Sequence, residues 1–334
     1  HLEQFEHVFL NGEIVIPADK NLDAPSLETE LSEYKPDLII IYGYFQKLQR
    51  RAHRWAIANK IKLAYISDSE LLHKRNKIKE FLMVFFIRRY FAKINYFLSV
   101  GDANEAFYRQ YGVKHSQIIR MHFPIDVIQY ESSYIQKNIL RKKIRALFNI
   151  GDNEIISSVV GKLVSWKNQD HIIDALKVLE EESIYLNLFV IGSGEMMELW
   201  QQKAKTLKQS KVHFVGFINI EDLPAYYAAS DMYIHPASIE PHSIGVSEAI
   251  YMGCPIIMSD RCGSYGTNDD VQDGKNGFVF EFGNIQDLAE KIKILCKDEL
   301  TRITFGEYSH TISKKFQLRS HIETLNDLKI KCAF

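Results

Sequence analysis

The chain has 334 residues, of which 46% are hydrophobic, 12% aromatic and 25% charged. This composition is ordinary for a globular protein, excludes a disordered or collagen-like chain, and leaves room for two domains of usual size. The 41 basic and 42 acidic residues give a formal net charge of -1, which argues against duplex DNA as the main partner. The longest apolar run, Phe81–Ile87, is far shorter than the roughly 20 residues of a membrane-spanning helix.

The cysteine pattern indicates the cellular compartment. Cys254, Cys262, Cys296 and Cys332 form no Cys-x-x-Cys pair, and no histidine stands at zinc-finger spacing. We therefore expect neither a disulfide framework nor a structural zinc site, and a reducing, cytoplasmic compartment. The first residues lack the basic and apolar segments of a secretory signal, although a processed or truncated chain would look the same.

Short β-rich runs alternate with helical patterns along the chain. Most of these runs are continuous apolar stretches, which are typical of strands buried on both faces of a parallel sheet. The predicted strands are Asp37–Tyr42, Leu63–Ser67, Tyr96–Val100, Ile156–Val160, Leu186–Ile191, Val212–Val215, Met232–His235, Pro255–Ser259 and Phe278–Phe280. The clearest helix is Gln169–Glu181, where Ile172, Leu176 and Leu179 share one face. The alternation predicts an α/β protein with parallel sheets.

Domain boundaries follow from the distribution of these strands. The polar stretch Gln129–Arg145 separates the strands of the two halves, so a boundary is expected near 125–150. We predict a first domain over 1–140, a second over 141–312 and a terminal helix over 313–334 that could cross back. The second half has enough strands for a full doubly wound domain, whereas the first half is short of them.

The segment Val160–Asn168 is the first candidate binding site, because it joins a predicted strand to the helix at Gln169. A loop at the carboxyl end of a parallel strand lies where open α/β sheets bind ligands. Gly161 allows a close backbone approach, and Lys162 and Lys167 could converge on one anion such as a diphosphate. Paired lysines are also common on solvated surfaces, and this plainer explanation stays open.

Two carboxylates eight positions apart form the second candidate. Glu240 lies on the loop after the strand Met232–His235, and Glu248 lies on a helix that begins near Ser243. The helix N-terminus between them offers amides, from Ser243 and Ile244, to a phosphate. Carboxylates accept hydrogen bonds from vicinal hydroxyls, so this block matches a sugar nucleotide. The spacing alone is weak, since any acid-rich helix can produce it.

The second half of the chain resembles the carboxyl-terminal domain of the family-4 retaining glycosyltransferases of the GT-B fold. The matching segments, in the family's order, are Gly161-Lys162 with Lys167, Val190–Gly194, Val215–Phe217, Leu223–Asp231, Glu240–Pro255 and Asp273–Phe278. In the first half, Pro36–Ile40 and Val100–Asp126 resemble the matching amino-terminal domain less specifically. The resemblance implies a GT-B fold, in which two Rossmann-like doubly wound parallel-sheet domains face a cleft.

This resemblance also implies an activity. Such an enzyme moves a hexose from a UDP- or GDP-linked donor to a saccharide or lipid-linked saccharide, as in the synthesis of surface polysaccharide or lipopolysaccharide. It implies no separate cofactor. The near-zero net charge predicts no nucleic-acid partner. We expect no metal either, because lysines and amides already supply the positive charge that a magnesium ion would bring.

Carried over by position, the resemblance assigns roles to residues of the second domain. Lys162 and Lys167, beside Gly161, would hold the donor diphosphate. Glu248 would bind the ribose hydroxyls, and Glu240 would lie near the transferred sugar as a catalytic residue.

Four more residues complete the expected donor site. Phe217 and Ile218 would contact the base through their backbone, and the amides at Ser243 and Ile244 would face a phosphate. Two positions depart from the family pattern. Lys162 stands where arginine is more usual, which keeps the charge but loses the bidentate fork. Ser243 stands where glycine is usual, which crowds the approaching phosphate slightly.

The catalytic position of the first domain has no secure match. The family often has a histidine just after a strand like Leu63–Ser67, where this chain has Asp68. Asp68 could orient or deprotonate an acceptor hydroxyl, or it could cap the next helix. His73 is a second candidate, or a solvated basic residue. Asp68 with Glu70 also resembles the metal-binding acid pair of the other glycosyltransferase fold, which the parallel two-domain pattern disfavours.

Segment 73–93 combines an apolar run with basic flanks. Its basic residues are Lys74, Arg75, Lys77, Lys79, Arg88, Arg89 and Lys93. Basic residues beside an aromatic-rich run suit peripheral contact with an anionic membrane, here at the inner face of the cell membrane. The alternative is a buried helix with charged ends.

Two other functions stay open from the sequence. One is a non-catalytic GT-B module that binds glycans or scaffolds a complex, and the other is a GT-B sugar-nucleotide epimerase. The family normally begins with a strand and a glycine-rich loop, but Glu13–Ile16 and Asp37 come too soon after His1 for that unit. We expect the unit to be missing, because the chain was cut from a longer protein or because this member dispenses with it.

Overall fold

The computed structural model of the protein describes Leu10 and residues 20–73 and 77–332. The segment Glu13–Ile16 lies outside the described residues. Within the described part, the chain forms two parallel β-sheets flanked by helices. The expected α/β architecture with two parallel-sheet domains is confirmed.

The first sheet has four parallel strands in the order β1-β2-β3-β4. Its elements are α1 (Leu27–Tyr34), β1 (Leu38–Tyr42), α2 (Lys47–Ala58), β2 (Lys62–Ser67), α3 (Lys77–Phe91), β3 (Tyr96–Ser99), α4 (Asp102–Gln110) and β4 (Ile118–Arg120). The three strands predicted in this half are confirmed within about one residue at each end. The fourth strand has only three residues, which is too short to stand out as an apolar run.

An aromatic cluster holds helices α3 and α4 against the first sheet. The ring centroid of Phe91 lies 4.9 Å from that of Phe97 and 5.0 Å from that of Tyr65. The hydroxyl of Tyr108 accepts a hydrogen bond from the Ser67 amide at 3.0 Å. This buried contact fixes the carboxyl end of β2, where the chain leaves the sheet toward the candidate residues of the first domain.

The second sheet has six parallel strands in the order β10-β9-β8-β5-β6-β7. Its elements are β5 (Ile156–Val160), α7 (Asp170–Glu181), β6 (Asn187–Ile191), α8 (Met197–Ala204), β7 (Lys211–Gly216), α9 (Leu223–Ala229), β8 (Met232–His235), α10 (Ile244–Tyr251), β9 (Ile256–Ser259), β10 (Gly277–Phe280) and α11 (Ile285–Lys297). All six strands predicted in this half are confirmed. The sheet is doubly wound, since the strand order runs outward in both directions from β5 and β8.

Helices cover both faces of this second sheet. Phe189 and Ile191 of β6 lie in one hydrophobic cluster, whereas Leu188 and Val190 lie in the other. Successive side chains of a strand point to opposite faces, so both faces are buried. This explains why the strands appear as continuous apolar runs in the sequence.

Two helices occupy the polar stretch between the sheets. They are α5 (Val127–Ile135) and α6 (Lys137–Leu147). Tyr130 of α5 and Ile144 of α6 are buried in the hydrophobic cluster of the second sheet. By packing, both helices therefore belong to the second domain, and residue 140 lies in the middle of α6.

The last helix, α12 (Glu299–Cys332), has 34 residues and contacts both domains. Near its start, Ser309 donates a hydrogen bond to the carbonyl of Cys254 at 2.9 Å. Near its end, Leu328 is buried beside Leu98 of the first sheet. The terminal segment expected from the sequence is thus the second half of a longer helix that joins the two domains.

The apolar run Phe81–Ile87 lies on α3. Ile87 is only 1% exposed, whereas Phe85 is 76% exposed. The described part of the run therefore has a buried face and an exposed face. No described helix is both long enough and apolar enough to cross a bilayer.

Replacing Leu328 by alanine should lower the free energy of unfolding by about 2–4 kcal/mol, because it leaves a cavity between α12 and the first sheet. Leu325 lies on the same helix and is 48% exposed, so Leu325→Ala is the matched control and should cost less than about 1 kcal/mol. Urea unfolding followed by circular dichroism measures both. Equal losses in the two variants would contradict the packing of α12 on the first sheet.

Candidate functional site

The reversal of strand order between β5 and β8 determines where the candidate site lies. In open parallel sheets, ligands bind at the carboxyl ends of the strands where the order reverses. The loop after β5 carries Lys162 and Lys167, and the loop after β8 carries Glu240. The two candidate segments are far apart in the sequence and adjacent in the fold.

Glu240 lies between two nitrogen-bearing side chains. The ammonium of Lys167 forms an ion pair with its carboxylate, and Nε2 of His235 lies 3.2 Å from the same oxygen. Burial would raise the pKa of Glu240, but His235 and Lys167 outweigh burial and hold that pKa below its usual value. Burial lowers the pKa of His235. At neutral pH, Glu240 is therefore an anion held in one orientation.

From the sequence, His235 is predicted only as the last residue of the strand Met232–His235, with no role in a site. The structure places it at the last position of β8, buried and against Glu240. The available signal was its position at the carboxyl end of a strand that borders the reversal in strand order, five residues before Glu240. Without the strand order, this signal could not be interpreted.

Glycines let the loops after β5, β6 and β7 pack against one another. A Cβ on Gly192 would lie 1.9 Å from the carbonyl oxygen of Gly161, and a Cβ on Gly194 would lie 2.3 Å from that of Leu163. The amide of Gly192 donates to the carbonyl of Gly216 at 2.8 Å. No other residue fits these two glycine positions without moving the neighbouring backbone.

A cavity of about 470 Å³ opens beside these loops. This volume is within the usual range for small-molecule sites. Its lining includes five of the predicted binding residues, which are Gly161, Lys162, Phe217, Ile218 and Glu248. The structure thus brings together residues from four separate segments of the sequence.

Charge and exposure differ across this cavity. Lys162 is exposed and makes no ion pair with any residue that the structure describes. Phe217 is 74% exposed, whereas Glu248 is only 6% exposed. A ligand in this cavity could pair with the ammonium of Lys162, pack against the ring of Phe217 and donate hydrogen bonds to the carboxylate of Glu248.

Glu248 is held from behind by a tyrosine that sequence reasoning did not single out. The hydroxyl of Tyr227, on α9, donates a hydrogen bond to Oε2 of Glu248 at 2.9 Å, and both groups are buried. Burial raises the pKa of Glu248. One turn earlier on the same face of α10, a Cβ on Gly245 would lie 2.8 Å from the hydroxyl of Tyr233. The carboxylate therefore sits in a rigid, tightly packed position.

The start of α10 differs from the expectation. Ser243 caps the helix through Oγ, which accepts from the Val246 amide at 3.3 Å. The amide of Ser243 donates to Oγ of Ser264 at 2.8 Å, so the expectation that this amide is free for a ligand is wrong here. Ile244, the first helical residue, is 50% exposed, and its amide has no acceptor within the helix. Neither Ser243 nor Ile244 lines the cavity.

In the first domain, Asp68 follows β2 and is half-buried. The described part of α3 begins only at Lys77, so the interpretation of Asp68 as the N-cap of that helix is wrong. Glu70 is buried and accepts the amide of Leu72. Nε2 of His73 is buried and lies 3.5 Å from a carboxylate oxygen of Glu70, so His73 is not simply a solvated residue.

The turn that follows β2 is linked to the loop of Glu240 through the loop that follows β9 in the other domain. The guanidinium of Arg261 donates to the carbonyl of Leu72 at 3.1 Å, and the amide of Gly263 donates to the carbonyl of Glu240 at 2.9 Å. Among the described residues, no hydrogen bond or ion pair joins Asp68 to Glu240. The two candidate segments are therefore connected through the loop after β9 and not by a hydrogen bond between Asp68 and Glu240.

A buried acidic group lies at the contact between the domains. One ring nitrogen of His122 and one carboxylate oxygen each of Asp269 and Asp270 lie within 4.8 Å of one another. Atoms of these types can bind a metal ion. Asp269 accepts the amide of Asp102 at 2.6 Å and lies 4.0 Å from Arg120. These contacts give Asp269 protein partners from the first domain. The absence of a metal stays a prediction from the sequence.

Over residues 141–311, about half of the chain, the sequence matches the family model described as "Glycosyl transferases group 1". The chain belongs to this family. The matched region contains the cavity, the Lys167–Glu240 ion pair and the whole second sheet. Glu248, Lys162 and the glycine loops are thus features of a group 1 glycosyltransferase domain.

Curated relatives of this chain include one from Bacillus subtilis and one from Staphylococcus aureus. A poly(glycerol-phosphate) alpha-glucosyltransferase of Bacillus subtilis is 28% identical over 179 residues, which cover 53% of this chain and 26% of the relative. The capsular polysaccharide biosynthesis glycosyltransferase CapM of Staphylococcus aureus is 28% identical, covering 54% of this chain and 46% of the relative. In both cases the match spans less than half of the relative.

Among solved structures, HepE of Anabaena in complex with UDP superposes with a TM-score of 0.69. The two proteins are 19% identical, and the superposition covers 92% of this chain and 81% of that chain. At this identity the likeness concerns the fold. The GT-B fold expected from the sequence is confirmed.

Replacing Gly194 by alanine should destabilise the loop after β6, because the new Cβ must displace the Leu163 carbonyl. We expect a loss of about 1–3 kcal/mol in the free energy of unfolding. Gly151→Ala is the control, since a Cβ there meets only a Glu154 oxygen at 3.4 Å. Thermal and urea unfolding of both variants would test this, and an unchanged Gly194→Ala variant would contradict the close packing of the loops.

Proposed function

We propose that the protein is a retaining glycosyltransferase that transfers a hexose from a UDP- or GDP-linked donor. The observation that carries this proposal is the cavity at the reversal of strand order. Lys162, which has no ion pair with a described residue, lies at its surface, and Glu248 is buried in its wall. Family membership supports a glycosyltransferase activity. The complex of HepE with UDP supports a nucleotide-linked donor.

The cavity can hold the nucleotide part of the donor. Glu248 accepts hydrogen bonds from the two ribose hydroxyls, and Tyr227 holds the carboxylate in place for this contact. The base lies against the backbone of Phe217 and Ile218. Lys162 contributes its charge to the diphosphate.

The ion pair next to the cavity serves the reacting sugar. The leaving diphosphate takes the negative charge that develops as the bond from the sugar C1 to oxygen breaks, and Lys167 stabilises this charge. The amide of Ile244, which has no acceptor within α10, contributes in the same direction. Glu240 is an anion at neutral pH and stabilises the oxocarbenium character of the sugar.

The acceptor approaches from the first domain on the face of the sugar that the diphosphate leaves. Its hydroxyl oxygen bonds to C1, and the hydroxyl proton passes to the departing diphosphate. Asp68 orients this hydroxyl. His73, which lies near Glu70, is the second candidate for this role. No separate cofactor takes part.

The acceptor is proposed to be a saccharide or a lipid-linked saccharide in surface polysaccharide synthesis. CapM, a capsular polysaccharide biosynthesis glycosyltransferase, supports this acceptor class. A lipid-linked acceptor would be used at the cytoplasmic face of a membrane. Peripheral contact through 73–93 would bring the enzyme to it, although Lys74 and Arg75 lie outside the described residues.

Lys167→Ala and Glu248→Ala should each lower kcat/KM by at least about 100-fold, because they remove charge stabilisation and donor binding respectively. Lys177→Ala is the matched control, since Lys177 is exposed on α7 and unpaired among the described residues. Transfer from a panel of UDP- and GDP-sugars is measured by product analysis. Near-full transfer in both site variants would overturn the assignment of the donor site.

The same panel separates the proposed activity from its alternatives. A donor-binding enzyme must raise the melting temperature of the wild-type protein with at least one sugar nucleotide. No shift with any sugar nucleotide indicates a non-catalytic module. An altered sugar nucleotide formed without acceptor indicates an epimerase. Either of these two results would refute the proposed transfer.

Tyr227→Phe should raise the KM for the donor about tenfold with little change in kcat, because the lost hydrogen bond orients a carboxylate used in binding. Tyr226→Phe is the neighbouring control, since its hydroxyl makes no hydrogen bond with the described residues. Steady-state kinetics at varied donor concentration measures both. If the two variants behave alike, Tyr227 does not position Glu248.

A further inference from the structure

A second cavity, of about 380 Å³, lies between α2 and α3 of the first domain. Each of these helices starts near the carboxyl edge of the first sheet, because it follows a strand, and then runs toward the opposite edge. Ile57, one residue before the end of α2, lines the cavity, and so does Lys93, which follows α3. The cavity therefore extends away from the cleft in which the proposed transfer occurs.

The walls of this cavity carry four cations, which are Arg50, Arg54, Arg89 and Lys93. None of them forms an ion pair with a carboxylate among the described residues, and no acidic residue lines the cavity. Arg50 donates to the backbone carbonyl of Phe45, which orients the guanidinium without neutralising it. Arg54, Arg89 and Lys93 are exposed.

The other face of α2 shows that unpaired arginines are not a general feature of this helix. Arg51 donates to Asp23 at 2.5 Å and also pairs with Glu28. Asp23 further pairs with Lys47 at 2.6 Å. Charge is thus neutralised on the face of α2 toward α1 and left in excess on the face toward α3.

Apolar groups lie beside these cations. Phe86 and Ile57, which line the cavity, are 45% and 40% exposed, and Phe85 next to them is 76% exposed. Below them, the rings of His53 and Tyr90 stack with centroids 3.9 Å apart. Burial lowers the pKa of His53, which favours the neutral imidazole. The stacked rings of His53 and Tyr90 thus form an uncharged part of the cavity wall.

We propose that this cavity, the α2–α3 cavity, binds the phosphate of an anionic phospholipid headgroup at a bilayer surface. The excess of unpaired cations complements the phosphate, and Phe85 and Phe86 enter the boundary between headgroups and acyl chains. The proposal deepens the membrane contact put forward for 73–93 and rests on that part of the proposed function. It adds Arg50 and Arg54 of α2, which lie outside that segment.

Flotation with vesicles tests this directly, without donor or acceptor, so its outcome is independent of glycosyl transfer. Wild-type protein should bind phosphatidylcholine vesicles containing about 30% phosphatidylglycerol. It should not bind vesicles of phosphatidylcholine alone, and binding should weaken as salt is raised from about 0.1 M to 1 M. Absence of binding to the anionic vesicles overturns the proposal.

The variant R54E/R89E reverses two of the four charges. It should weaken vesicle binding at least about thirtyfold, because each basic residue near the membrane surface adds to the attraction to anionic lipid. The variant K177E/K208E makes the same charge change with two exposed lysines of the second domain that form no ion pair in the described part of the chain. It should bind like the wild type. Equal loss in both variants would mean that only net charge matters, which overturns the site.

Two further measurements keep the test decisive. R54Q/R89Q removes the charges without adding acids, and its circular dichroism and melting temperature check the fold. If it is folded and binds vesicles fully, the proposal is wrong.

Calorimetry with inorganic phosphate and with glycerol 3-phosphate identifies the source of the anion. Tight binding of either soluble anion, without vesicle binding, would assign the cavity to a free phosphate compound instead.

Discussion

The ion pair between Lys167 and Glu240 joins the two halves of the second sheet at the point where the strand order reverses. From this point the chain winds through β6 and β7 in one direction and through β9 and β10 in the other. The loops of the two halves therefore leave a crevice between them. Every proposed donor contact depends on that crevice. His235 adds a second polar partner from the end of β8 and keeps the carboxylate in one place.

Close backbone packing gives the crevice its shape. At Gly192 and Gly194 the loop after β6 approaches the loop after β5 so closely that no Cβ fits. These loops form one part of the cavity wall, and Glu248, which is held by Tyr227, forms another part. Rigid elements thus surround the positions where a ligand would bind, and preorganised sites of this kind lose little free energy to reorganisation.

The two domains are connected by more than the chain between them. Asp102 at the start of α4 donates its amide to the buried Asp269 of the second domain, and α12 begins in the second domain and ends on the first. Arg261 contacts the turn after β2. The acceptor side and the donor side therefore approach each other through specific contacts, and the α2–α3 cavity is left on the outer surface.

Nine of the ten described strands, the parallel α/β class and five residues of the cavity lining could be predicted from the sequence, because buried strands and loop glycines leave local patterns. It could not determine the contact of His235 with Glu240, the support of Glu248 by Tyr227, or the loss of the Ser243 amide to Ser264. Those depend on which strands are neighbours and which helices cover them. Only tertiary packing decides this, since it joins residues that no short-range pattern connects.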